Sequence, residues 1–397
     1  MGSRDILQMR ARDMAGYSFD CDCGRHHSVD IKKIVVGAGV IRQLPEVLKG
    51  YEDRKLMVVY DKNTKAIAGD RVVSILKDAN FTKVKEYMVE SEDYPIVVPD
   101  ERVVARLLYE TDIDTALLLA VGSGTINDLC KIIAYKMKIA SVTIGTAPSM
   151  DGYASPMSPL IVDHAKVTYT TQYPDALICD SEIMATAPDV MLRAGFGDIV
   201  GKYTALADWQ LTVKMNNEYW CQTTVDLVKN AVDKCVAGAE RYMQRDLDAI
   251  DDMTEALILT GIAMGLVGIS RPASGSEHHI AHFFELDALK KGIEHPLHGN
   301  SVGVGSIVST EAYKVMKERF PEIRSVDVPD PDFMRDIYRK VGSALTPGEL
   351  GVPREVFHDC INNAYRIRPR YTIFTFAKNA GFLPTLADIL TERFYGK

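Results

Sequence analysis

A chain of 397 residues is long enough for two or three domains of ordinary size. With 47% hydrophobic and 25% charged residues it has a globular composition and apolar side chains enough for a sizeable core. The 46 basic against 54 acidic residues leave a net charge of −8, which argues against a general nucleic-acid or anionic-membrane binder, though a few local cations suffice to hold one small phosphorylated ligand.

Met1 to Met14 mixes acids and bases where a leader would carry an apolar core, and Ile6 stands where a myristoylation signal places Ser or Thr. Ile6, Met9 and Met14 give this stretch a helical pattern, read as a packing or dimerisation segment. Cys21 and Cys23, near His26 and His27, form a Cys-x-Cys pair without the spacing or the second half of a structural zinc site. The seven cysteines together, odd in number and scattered, read as reduced thiols.

From about residue 30 to 185 short β-rich runs alternate with helical patterns. Ile31 to Val36, Leu56 to Tyr60, Val84 to Val89, Ala116 to Val121 and Ala140 to Ile144 read as strands. A helical stretch follows Gly37-Ala38-Gly39 through Leu44 and Leu48, and another carries Ile67, Val72, Val73 and Ile75. Such strands predict a mostly parallel sheet covered on both faces, with its ligand site beyond the strand carboxyl ends. After Ala187-Pro188 the strand signal fades. Met191 to Met215, Thr223 to Met243, Thr254 to Leu266, Ser301 to Met316 and Phe333 to Val341 read as helices. The expected division is an N-terminal extension (1–29), an α/β dinucleotide-binding domain (30–187) and an all-helical metal- and substrate-binding domain (188–397), the last two sharing a cleft. No apolar run approaches the roughly 18–20 residues needed to cross a bilayer, so the expectation is a soluble cytoplasmic enzyme with no membrane insertion.

Five of the nine histidines, His278, His279, His282, His295 and His298, fall within 21 residues. His278 and His282 share a helix face, and His298 stands at the start of the next helical pattern, so His278 and His298 can aim at one point. Imidazole pairs completed by a carboxylate describe a catalytic divalent-metal site. Asp198, in Ala194-Gly195-Phe196-Gly197-Asp198, is the acid to complete it, unless Lys202 four residues on merely pairs with it. His279 and His295 read as ordinary structural histidines. Gly122-Ser123-Gly124-Thr125-Ile126-Asn127-Asp128, between a strand and a helix, presents backbone N–H groups to a pyrophosphate or makes a tight turn. Asp61, ending the second strand, either accepts from an adenosine ribose, favouring NAD over NADP, or caps a helix. Gly145-Thr146-Ala147-Pro148-Ser149-Met150-Asp151-Gly152-Tyr153-Ala154-Ser155 should line the same cleft.

These runs, with Ser270-Arg271-Pro272-Ala273-Ser274-Gly275-Ser276-Glu277-His278 and His298-Gly299, resemble the glycerol-1-phosphate dehydrogenase family, within the iron-containing-alcohol-dehydrogenase and dehydroquinate-synthase-like superfamily. The resemblance runs from about residue 30 to the C-terminus, and Cys21-Asp22-Cys23-Gly24-Arg25 looks like the segment of longer bacterial members. It implies a dehydroquinate-synthase-like fold, a homodimer, NAD with NADP possible, and one zinc, nickel or iron ion on Asp198, His278 and His298. It places Asp151, Asp198 and His282 at the substrate, and Gly124 through Asp128, Thr146 through Ser149, Ser155 and Asp61 at the dinucleotide. Ser123 departs from the third glycine of many relatives.

The implied reaction is reversible reduction of dihydroxyacetone phosphate to sn-glycerol 1-phosphate, in phospholipid biosynthesis. His282 would relay the proton and Asp151 would orient a substrate hydroxyl, while Arg271 and Lys202 are the nearest cations for the phosphate. Three rival readings remain at this point: a glycerol or other polyol dehydrogenase, a dehydroquinate-synthase-like lyase, and a non-catalytic nucleotide-binding protein on the same fold.

Overall fold

The computed structural model describes residues 5–92, 96–163 and 165–396; Met1 to Arg4, where the leader reading begins, lie outside them. The N-terminal segment makes two 3-10 turns, Asp5–Gln8 and Ala11–Met14, and a hairpin of β1 (Ser18–Asp20) and β2 (His26–Ser28). A parallel sheet follows, built from β3 (Lys33–Gly37), β4 (Lys55–Tyr60), β5 (Val84–Met88), β6 (Thr115–Gly122) and β7 (Ala140–Gly145). A second hairpin, β8 (Met157–Val162) with β9 (Ala165–Thr170), precedes β10 (Ala176–Asp180), which slots between β3 and β7 as the sixth parallel strand. The order is β3-β10-β7-β6-β4-β5. The direction of winding therefore reverses between β4 and β6, which opens a crevice at their carboxyl ends.

The apolar runs of the central strands follow from burial on both faces. Leu117, Leu119 and Val121 pack with Leu44, Val72 and Leu76 on one side, while Leu118 and Ala120 pack with Ile126, Leu129 and Ile133 on the other. Helices α1 (Asp70–Asp78), α2 (Glu101–Glu110) and α3 (Gly124–Met137) cover the sheet. The α/β half departs from the sequence expectation, and its β8–β9 hairpin was not foreseen. Its first strand begins at Lys33, β10 was not foreseen, and the stretch after Gly39 is a 3-10 turn (Val40–Gln43) and one α-turn (Leu44–Val47).

The rest is helical: α4 (Asp189–Val200), α5 (Lys202–Asn216), α6 (Gln222–Ala237), α7 (Leu247–Val267), α8 (Ser276–Lys290), α9 (His298–Arg319), α10 (Pro331–Lys340), α11 (Arg354–Asn363), α12 (Ile373–Asn379) and α13 (Leu383–Tyr395). Asp246 caps α7 by accepting from Ala249 N at 3.0 Å, and Gly268, at φ +79°, ends it in the left-handed region. Ile6, Ala11 and Met14 sit in one core with Val228, Val232, Leu257 and Ile258, so the N-terminal segment packs onto the helical half. Among the described residues no helix is long and apolar enough to cross a membrane.

Two helices that position the site touch backbone to backbone. A Cβ on Gly197 of α4 would lie 2.1 Å from Gly299 O, and one on Gly299 of α9 would lie 1.9 Å from Ala194 O. Gly195 has the same constraint against Pro148 O, at 1.7 Å, in the loop after β7. Gly197→Ala should therefore push α4 off α9 and lower the unfolding free energy by about 1–3 kcal/mol, read by urea titration. A variant as stable as the parent would show that the helices can part freely.

Candidate metal and nucleotide site

The close crossing of α4 and α9 sets Asp198 beside the first residue of α9, His298. Helix α8 brings His278 and His282 to the same point. Asp208 anchors its N-terminus, accepting from Ser276 N at 2.6 Å, and also accepts from Tyr313 Oη and Ile373 N, both at 2.8 Å. Ring centroids of His278, His282 and His298 lie 5.1 to 6.0 Å apart.

One ligand atom each from Asp198, His278 and His298 falls within 4.8 Å of the others. His278 Nε2 stands 3.6 Å from Asp198 Oδ1, too far for a hydrogen bond but close to the edge of about 3.4 Å between two ligands of one tetrahedral ion. His298 Nδ1 and His282 Nδ1 are buried without a hydrogen-bond partner. Burial, with Lys202, Lys166 and Arg368 nearby, holds all three imidazoles well below their usual pKa, so they are neutral and able to ligate. The donor set thus fits a divalent ion of the zinc, nickel and iron group. His282, Glu285 and His298 make a second such grouping, and each grouping's acid carries a lysine: Lys166 on Glu285 at 2.5 Å, and Lys202 on Asp198 at 2.6 Å, the i, i+4 pair that the sequence left open.

The surroundings are built to orient these donors. Glu277, fully buried, takes His278 Nδ1 on Oε1 at 2.8 Å and accepts from Thr204 Oγ1 on Oε2 at 2.7 Å, which turns His278 Nε2 toward Asp198. Burial, then the charge of Asp151, pushes the Asp198 carboxyl up to about 6. Lys202, fully buried, answers both acids, with Nζ 2.6 Å from Asp198 Oδ1 and 2.7 Å from Asp151 Oδ2. Asp151 N donates to Asp198 Oδ2 at 2.9 Å and ties the loop after β7 to α4.

The two loops expected at the nucleotide lie side by side at the crevice. Ser123 Oγ and Ser149 Oγ are 2.5 Å apart, and Thr146 N donates to Gly122 O at 3.2 Å. Ser123, Gly124 and Thr125 are partly exposed where α3 begins. The other residues of that set face inward: Ile126 packs under the sheet, and Ala147 and Pro148 are buried. Asn127 Oδ1 accepts from Thr143 Oγ1 at 2.6 Å. Asp128 Oδ1 pairs with Lys131 at 3.1 Å, and Ser155 Oγ donates to Gly152 O at 3.1 Å. Asp61 is a helix cap, with Oδ1 accepting from Thr64 N at 2.8 Å; it is partly exposed across the crevice from Gly122.

Arg271 is placed otherwise than expected. Its guanidinium is clamped on Glu218 at 2.7 and 2.6 Å and on Tyr371 O at 2.9 Å, so it staples α12 to α5's end and is not turned to a ligand. Sequence reasoning passed over Lys166, Arg368 and Arg370, whose charges are felt at His278. The run Arg366-Ile367-Arg368-Pro369-Arg370 was the available signal.

Residues 35–188 match the family model of iron-containing alcohol dehydrogenases. Solved structures of similar shape include glycerol dehydrogenase from Schizosaccharomyces pombe (TM-score 0.66, 17% identity, 91% of this chain and 90% of that one). Maleylacetate reductase from Agrobacterium tumefaciens is another (TM-score 0.66, 17% identity, 93% and 98%). The fold is thus that of the iron-containing alcohol dehydrogenase class. Among curated relatives, glycerol-1-phosphate dehydrogenase [NAD(P)+] of Bacillus licheniformis is 34% identical over 92% of this chain and 94% of its own. The same enzyme of Metallosphaera sedula is 31% identical over 87% and 92%. The chain belongs to the glycerol-1-phosphate dehydrogenase family.

Glu277→Gln should weaken divalent-metal affinity about 10- to 100-fold with an unchanged circular dichroism spectrum. Competition against a chromophoric chelator measures it, and an affinity within twofold of the parent would remove Glu277 from this role.

Proposed function

We propose that this chain catalyses the reversible NAD(P)-linked reduction of dihydroxyacetone phosphate to sn-glycerol 1-phosphate. The observation that carries the reading is the convergence of Asp198, His278 and His298 beside two paired glycine loops at the sheet crevice, in a chain of this family. Asp198, His278 and His298 would hold one zinc, nickel or iron ion. When bound, the ion supplies Lewis-acid polarisation of a carbonyl oxygen, and the reduced nicotinamide supplies hydride.

The chain's own residues do the rest. Backbone N–H groups at Ser123, Gly124 and Thr125, where α3 begins, would take the pyrophosphate, with Thr146 through Ser149 as the facing wall. Asp61, whose Oδ1 caps the following turn, would offer Oδ2 to the adenosine ribose and disfavour a 2′-phosphate, which makes NAD the preferred partner over NADP. His282, neutral and buried, would relay a proton, accepting one from water at one ring nitrogen as the other gives its own to the substrate oxygen. Asp151, steadied by Lys202, would orient a substrate hydroxyl. Arg368 would hold the phosphate in place of Arg271: burial disfavours its guanidinium charge, and a phosphate dianion would relieve that cost, whereas Arg370 is already held by Ser270 and Ser274. A homodimer and use of the product in phospholipid synthesis belong to the same reading and rest on the resemblance alone.

The test is NADH oxidation by the purified protein with dihydroxyacetone phosphate, before and after chelator treatment and metal restoration. Activity should vanish and return; comparable kcat/KM on glycerol, or no net NADH loss, would sink the proposal. Arg368→Ala should raise KM for the phosphorylated substrate about 10- to 100-fold without improving glycerol. Arg271→Ala should leave that KM near the parent's and lower the thermal midpoint, because Glu218 loses its partner. The reverse pattern would return the phosphate to Arg271.

A further inference from the structure

Far along the chain from the histidine cluster, four soft donors converge that the sequence had kept apart. Cys21 and Cys23 stand in the turn between β1 and β2, His27 is in β2, and Cys221 is the residue before α6. The turn is closed by Cys21 N donating to Arg25 O at 3.0 Å and Gly24 N donating to Cys21 O at 2.9 Å, with Gly24 at φ +83°. One ligand atom from each of the four residues lies within 4.8 Å of all the others.

Three of the six donor separations are close to the edges of a zinc tetrahedron. Cys21 Sγ and Cys221 Sγ are 3.7 Å apart, while Zn–S bonds of about 2.3 Å give an S···S edge of about 3.8 Å. His27 Nε2 lies 3.6 Å from Cys221 Sγ and 3.3 Å from Cys23 Sγ, against about 3.6 Å for a zinc-bound nitrogen and sulfur. At 3.7 Å the two sulfurs are far from the roughly 2.05 Å of a disulfide. Cys21, Cys221 and His27 are buried. Thiols make only weak hydrogen bonds, so they would leave such a cluster poorly satisfied without an ion at its centre.

The outer groups suit thiolates. Thr224 Oγ1 donates to Cys221 Sγ at 3.2 Å, Thr223 Oγ1 lies 3.4 Å from Cys21 Sγ, and Tyr219 Oη lies 3.0 Å from Cys23 Sγ. Arg25 sits over the Tyr219 ring at 3.4 Å, a positive charge beside what would be an anionic centre.

We propose that Cys21, Cys23, His27 and Cys221 form a closed Cys₃His site for one structural zinc ion, which pins the N-terminal hairpin to the helical half. Zinc is the assignment because three thiolates and an imidazole in tetrahedral array, with no position left open, match its structural sites. The site shares no residue with the Asp198 centre and stands or falls apart from the reaction proposed above.

Metal analysis of the full-length protein purified without chelator tests it. About two metal ions per chain are expected, and Asp198→Ala should keep one zinc while Cys221→Ser should lose one. In the Asp198→Ala background, cobalt(II) should give an intense thiolate-to-metal charge-transfer band that Cys221→Ser abolishes. If Cys221→Ser does not fold, the zinc content and cobalt spectrum of the Asp198→Ala protein decide alone. An Asp198→Ala protein free of zinc and without the cobalt band, or a Cys21–Cys221 disulfide in the native chain, would overturn the proposal.

Discussion

Asp198 and His298 belong to helices whose backbones touch, and that contact governs the geometry of everything around it. Side chains normally hold packed helices 8–10 Å apart, and glycine removes the spacer. Here Gly197 lies against Gly299, and Gly195 lies against Pro148 of the loop after β7. One short stretch of α4 is therefore gauged on one side by α9 and on the other by the α/β half. Asp198, the residue after Gly197, has little freedom left, which is the property a ligating side chain needs.

Such closeness also concentrates charge. Asp198, Asp151 and Lys202 are nearly or wholly withdrawn from water, an arrangement tolerated because the lysine reaches both carboxylates and Asp151 N answers the remaining oxygen of Asp198. Glu277 plays the corresponding part for His278, and Asp208 anchors the helix that carries both. The donor atoms are thus backed by a second layer of buried acids, each with its hydrogen bonds satisfied.

How legible this was in the sequence depended on range. The strands of the sheet centre declared themselves because burial on both faces leaves uninterrupted apolar runs, as at Leu117 to Val121. Ala176–Asp180 is just as buried, but Ile178 is its one β-branched residue, and a short apolar run poor in such residues does not separate strand from helix. The histidines stood out because His278 and His282 are one helical turn apart and His298 opens the next helix, all local signals. Arg271 misled because its partner, Glu218, is 53 residues away, and nothing in spacing reveals a remote ion pair. Cys21 and Cys23 looked incomplete for the same reason: Cys221 reaches them only through the packing of the N-terminal segment on the helical half.

One bond has a thermodynamic corollary. The amide of Asp151, in a loop whose neighbour Ser149 borders the glycine turn, is fastened to Asp198 Oδ2. A dinucleotide settling on that loop and an ion settling on Asp198 would then pull on opposite ends of a single hydrogen bond. Whatever factor one ligand then imposes on the other's affinity, reciprocity requires the same factor in return. Occupancy by one ligand would set the readiness of the chain for the second, with no messenger beyond a peptide N–H.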